Sequence, residues 1–142
     1  MDEQALIEKL RRIQALYVGA STAGERAAAH KAFERVQMRL EQQRFTQPTE
    51  YKFTLQDGFR RRLFTALVRK YGLEPYRYKR QRYTTVMVQV TPQFVDDVLW
   101  PEYEALSDTL AEYLDDVTTR VISEAVHHDQ ADAAVAKELP GS

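Results

Sequence analysis

Thr84-Thr85-Val86-Met87-Val88-Gln89-Val90-Thr91-Pro92 decides the fold. Its first seven residues are β-branched or alternate with a step of two, the signature of a strand. Val86, Val88 and Val90 share one face, with Met87 and Gln89 on the other. Thr91-Pro92 then opens a helix, a side-chain cap followed by proline at the first helical position. One strand-to-helix junction therefore makes the chain α+β rather than all-helical.

Working back toward the N-terminus, Tyr76-Arg77-Tyr78-Lys79 also alternates with a step of two. This pattern predicts strands over 75–80 and 84–91 in an antiparallel hairpin. Gln81-Arg82-Tyr83 between them lacks the Asn-Gly of a tight turn. A lone hairpin is only marginally stable, so the valine face must lie on a helix. Phe59, Leu63, Leu67 and Tyr71, joined by Phe64 and Val68, mark a helix from about residue 56 to 71, with Gly72 as its C-cap. Residues 45–53 carry Pro48 and no helical period, and read as part of a linker.

Before the linker, Leu6, Leu10, Ile13 and Tyr17 form one apolar stripe, and Ala29, Phe33, Val36 and Leu40 form another. Gly19, Ser21, Thr22 and Gly24 part them, so an antiparallel helical hairpin is expected. Forward from Pro92, Val95, Leu99, Tyr103, Leu106, Leu110, Tyr113, Val117 and Val121 continue a helical stripe for about eight turns. Pro101 interrupts it, which predicts a kink or a short helix followed by a longer one. The organisation expected is a helical hairpin over 1–44, a linker over 45–55, helix, β-hairpin and long helix over 56–127, and a flexible tail over 128–142. The class is α+β, predominantly helical.

Lys9-Leu10-Arg11-Arg12-Ile13-Gln14-Ala15-Leu16, then Glu25, Ala28, Ala32, Arg35-Val36 and Met38, resemble the helical hairpin of a bacterial and phage domain family of unknown function. Gln37-Met38 stands where that family has Leu-Met. The resemblance covers residues 6–43, implies the hairpin and a phage or mobile-element setting, and carries no catalytic residues.

The 142 residues suit one domain, and 44% hydrophobic content can fill a modest core. Without cysteine there are no disulfides, thiolate metal sites or cysteine nucleophile. Met1-Asp2-Glu3-Gln4 is an acidic start with no apolar stretch behind it, and no apolar run approaches the about 20 residues of a membrane span. A cytoplasmic protein with no membrane partner is the expectation.

The net charge of −1 hides a division. Residues 57–83 hold nine Lys/Arg against Asp57 and Glu74, whereas residues 84–142 hold twelve acids against Arg120 and Lys137. Arg60, Arg61, Arg62, Arg69, Lys70, Arg77, Lys79, Arg80 and Arg82, interleaved at their end with Tyr76, Tyr78 and Tyr83, are the candidate nucleic-acid-binding residues. Such cations hold phosphates, and exposed tyrosines stack on unpaired bases. The competing reading is that a hairpin with one buried and one wet face alternates in this way, or that the basic elements dock on Asp96, Asp97, Glu104, Asp108, Glu112, Asp115 and Asp116.

No pattern reaches catalysis. His127-His128-Asp129 has metal-ligand types, but neighbours diverge by about 100° on a helix. Asp96-Asp97 and Asp115-Asp116 diverge likewise, and the glycines of 19–24 come without the lysine of a phosphate loop. No cofactor or metal is expected, and an enzyme is the weakest reading. Trp100, Tyr103, Asp108 and Glu112 are the candidate partner-binding group, with a core wedge as the alternative for the two rings. Two functions follow: a nucleic-acid-associated accessory protein, with DNA and RNA both open, or an assembly subunit pairing basic with acidic surfaces, in a homo-oligomer or with another protein.

Overall fold

A computed structural model describes residues 1–18, Glu34, Met38 and 48–137. The expected second helix of the N-terminal hairpin lies outside the described residues, apart from Glu34 and Met38, which are both helical. The chain divides into two units, Met1–Leu110 and Ala111–Ser142. Among the described residues are three long helices and one two-stranded antiparallel sheet, so the fold is α+β and mostly helical.

In the first unit, α1 (Glu3–Val18) opens on Asp2, whose carboxylate accepts the Ala5 amide at 2.7 Å. Its stripe is the one the periodicity predicts. Leu6 is buried, and Leu10, Ile13 and Tyr17 pack on the core.

The sheet corrects the expected hairpin. Its strands are β1 (Thr49–Thr54) and β2 (Thr85–Val90), in the register Tyr51↔Val88 and Phe53↔Val86. β1 lies in the stretch read as a linker. Thr49-Glu50-Tyr51-Lys52-Phe53-Thr54 alternates polar and aromatic residues, and Pro48 sits just ahead of the strand, where proline breaks no rung of the ladder. Tyr51 and Phe53 join Val86, Val88 and Val90 on the inner face.

The predicted strand over 75–80 shrinks to one bridged residue, Tyr76, which exchanges two backbone hydrogen bonds with Met87 at 2.9 and 2.8 Å. Side chains then take the positions of the next rungs. Arg77 Nε donates to the Thr85 carbonyl at 2.8 Å, and the Tyr78 amide donates to Gln81 Oε1 at 2.9 Å. The chain turns away through Arg80, whose φ of 75° lies in the left-handed region.

Helix α2 (Gly58–Lys70) buries Phe64, Leu67 and Val68. It ends as predicted at Gly72, with φ 74°, and the Leu73 amide reaches back to the Val68 carbonyl at 3.1 Å, closing a Schellman turn.

Thr91 caps the next helical segment, its hydroxyl accepting the Phe94 amide at 3.3 Å, and Pro92 follows at the first position. After the turn Pro92–Phe94, residues Val95–Leu99 form a π-helical turn before α3 (Trp100–Ala125). This is the irregularity that Pro101 demands. Proline brings no N–H to an i−4 carbonyl, and the wider turn, in which Trp100 N–H bonds the Val95 carbonyl, absorbs the mismatch.

The core sits between the sheet, α2 and the start of α3. Phe53 lies 4.5 Å from Phe64 between ring centroids and is stacked on Trp100 at 5.7 Å. Tyr103 meets Phe64 edge-on at 5.4 Å.

In the second unit, α3 runs to Ala125, and the Val126 and His127 amides both close on the Ile122 carbonyl. Gln130 Nε2 donates to the Thr119 carbonyl at 2.8 Å, folding the start of the tail back along the helix. Leu114, Val121 and Val126 are exposed.

Candidate nucleic-acid interface

The nine cations of residues 57–83 separate into two groups. Four are committed to the fold. Arg60 pairs with Asp57, donates from Nε to Ser107 Oγ at 3.1 Å and lies over the Phe59 ring. Arg61 donates to the Leu55 carbonyl at 3.1 Å, which holds the β1–α2 connection. Arg77 ties Thr85 and Tyr83 through their carbonyls, at 2.8 and 2.7 Å.

Lys70, the fourth, reaches a buried acid. Its ammonium lies 2.8 Å from the carboxylate of Glu102, which is fully buried, and 3.0 Å from Gln14 Oε1 on α1. The Tyr71 hydroxyl donates to the other oxygen of Glu102. Burial pushes the Glu102 carboxyl above its ordinary range, while Lys70 and the Tyr71 hydrogen bond oppose that shift. Burial and the same carboxylate drive the Tyr71 phenol upward, so it remains a donor. This network clamps α1, α2 and α3 together. It was not legible as a site, because Glu102 is one acid among many. Its position three residues after Leu99 and four before Leu106 is the signal, since that places it on the buried stripe.

The second group is Arg62, Arg69, Lys79, Arg80 and Arg82. All five are exposed, and none forms an ion pair with a described residue. Arg62 and Arg69 are seven residues apart on α2, within about 20° of one stripe. Lys79, Arg80 and Arg82 crowd into the turn after Tyr76. The Arg61 guanidinium, 4.8 Å from the Tyr83 ring centroid, ties that turn to the N-terminal part of α2.

Exposed tyrosines accompany the free cations. Tyr78 is 52% exposed and Tyr83 69%. Tyr76 and Tyr78 meet edge to face at 5.5 Å, and both hydroxyls donate to Glu50 of β1, a residue hidden in the stretch read as a linker. The two phenols hold the Glu50 carboxyl below its ordinary range. Tyr76 is half-buried and also accepts from Gln89 Nε2, so it belongs to the loop's attachment to the sheet.

Lys70 docks on the acidic helix through Glu102. No ion pair among the described residues joins the other eight cations to Asp96, Glu104 or Asp108, which are themselves exposed.

The partner-binding group divides as well. Tyr103 is buried and Trp100 packs on the core, so both rings are wedges rather than an exposed hot spot. Asp108 and Glu112 are exposed. His127 and His128 stack at 4.6 Å between centroids, and His127 Nδ1 accepts the Asp129 amide, which turns that nitrogen to the backbone. Among the described residues no group of three or more His, Asp or Glu side chains converges as metal ligands. No described helix is long and apolar enough to cross a membrane. No protein-family model, curated protein or solved structure matches the chain.

Proposed function

We propose that the protein is a nucleic-acid-associated accessory protein that binds phosphates through Arg62, Arg69, Lys79, Arg80 and Arg82. The observation that carries this reading is the division of the cations: four are tied to the fold, and five are left in water without an acidic partner among the described residues. Free cations on a defined surface release counterions when they meet a polyanion, which gives sequence-independent, salt-sensitive affinity. Arg80 adds a specific point. A non-glycine residue at φ 75° is strained by about 1 kcal/mol, yet an arginine occupies the turn and is held out in solvent. The phage or mobile-element setting rests on the resemblance of residues 6–43 alone.

The reading makes Arg61 a poor probe, because changing it would disturb the β1–α2 connection. Arg82→Glu and Arg80→Gly are the informative variants, and glycine relaxes the left-handed position. Each is expected to weaken oligonucleotide binding at low salt, together by roughly tenfold or more, with no loss of thermal stability. Wild-type protein that retards no single- or double-stranded oligonucleotide at low salt would sink the reading. A salt-labile oligomer formed without nucleic acid, seen by sedimentation, would instead favour an assembly subunit pairing these cations with Glu104 and Asp108.

A further inference from the structure

We infer that the nucleic acid is single-stranded and that Tyr83 is the platform on which an unpaired base stacks. This rests on the phosphate-binding reading above and adds the class of ligand. Tyr83 is 69% exposed, so its ring contributes little to the core. Its position is nonetheless fixed from three directions. The Arg61 guanidinium lies against one face at 4.8 Å, and Arg61 is anchored in turn by the Leu55 carbonyl. The Tyr83 carbonyl accepts from Arg77 Nη2 at 2.7 Å. The Thr85 amide, two residues on, closes a turn on the Arg82 carbonyl at 3.0 Å.

A wet ring whose backbone is fixed and whose one face is already engaged has less freedom left to lose on binding. With a cation on one face, the opposite face is open to a third planar group, giving a guanidinium–phenol–base stack. Lys79, Arg80 and Arg82 stand within four residues of the ring, where the phosphates flanking a stacked base need cations. A duplex interior offers no base face to such a ring, whereas every base of a single strand does. Tyr78 is the weaker platform. Its hydroxyl is held by Glu50, and the ionised carboxylate repels a phosphate at that end of the loop.

Fluorescence anisotropy with labelled oligothymidylate, oligouridylate and a mixed-sequence duplex of equal length provides the test. Wild-type protein is expected to bind the single strands more tightly than the duplex. Tyr83→Ala should weaken single-strand binding roughly tenfold or more and leave duplex binding unchanged, while Tyr83→Trp keeps the preference. A relative gain for either homopolymer, which differ both in the sugar and in the base methyl group, supports the inference equally. Equal wild-type affinity for strand and duplex, or a Tyr83→Ala variant with an unchanged strand-to-duplex ratio, overturns the stacking inference alone, provided Arg82→Glu still weakens binding. If Arg82→Glu changes no affinity, the phosphate-binding reading fails with it.

Discussion

Leu99, Glu102, Tyr103 and Leu106 fall on one face of α3, and Glu102 is the only charged residue of the four. A carboxylate there is tolerable only because Lys70 and Tyr71 meet its two oxygens. Glu102→Ala should therefore destabilise the fold by about 2 to 3 kcal/mol in urea unfolding, near the low end for a broken buried pair because Lys70 can reach water. The pH dependence has a definite sign. Burial raises the Glu102 carboxyl above 4.5, so the folded state holds its proton more tightly than the unfolded state. That contribution is fully present below pH 4.5 and is lost as the pH rises through the folded value. Glu50 behaves oppositely, because its folded value is lowered by Tyr76 and Tyr78. Its contribution is present above 4.5 and is lost as the pH falls through the lowered value. Urea titrations of Glu102→Gln and Glu50→Gln beside the wild type, across the acid range, should show the two differences declining in opposite directions.

At the scale of elements, legibility followed the strength of the period. α1, α2 and the Thr91-Pro92 helix start repeat apolar residues over several turns or carry a capping signal, and all three stand where the pattern places them. β1 went unread because six residues offer only Tyr51 and Phe53 as inward positions, and Pro48 beside them reads as a breaker. The strand expected at 75–80 failed for a different reason. Its alternation is real, but Arg77 and Gln81 side chains bond Thr85 and Tyr78 where a ladder would have continued. What pairs with what across a sheet is a tertiary fact, and local alternation does not contain it. Gly72 gives a clean test of one element end. An added Cβ would meet nothing within 4 Å, so Gly72→Ala isolates the backbone conformation at φ 74°. A loss of about 1 kcal/mol is expected in chemical denaturation.

Across the whole chain, the division of charge visible from the sequence has acquired a finer structure. The positive part is not one patch of nine. Arg60, Arg61, Lys70 and Arg77 are internal fastenings, and Arg62, Arg69, Lys79, Arg80 and Arg82 are what the surface offers. No reading of composition could have made this split, because it depends on which carbonyls and carboxylates the fold brings within 3 Å or so of each guanidinium. The claim that these five cations bind phosphate has a quantitative signature. Each phosphate neutralised on a single strand adds about −0.7 to the slope of log K against log salt. Five such contacts give a slope of about −3.5, and Arg82→Glu should flatten it by at least one contact. The decisive measurement is that salt titration, with oligothymidylate and the wild-type and Arg82→Glu proteins side by side. A steep wild-type slope flattened by the substitution is the predicted result; absence of binding at low salt, or a slope near zero that the substitution leaves unmoved, would contradict it.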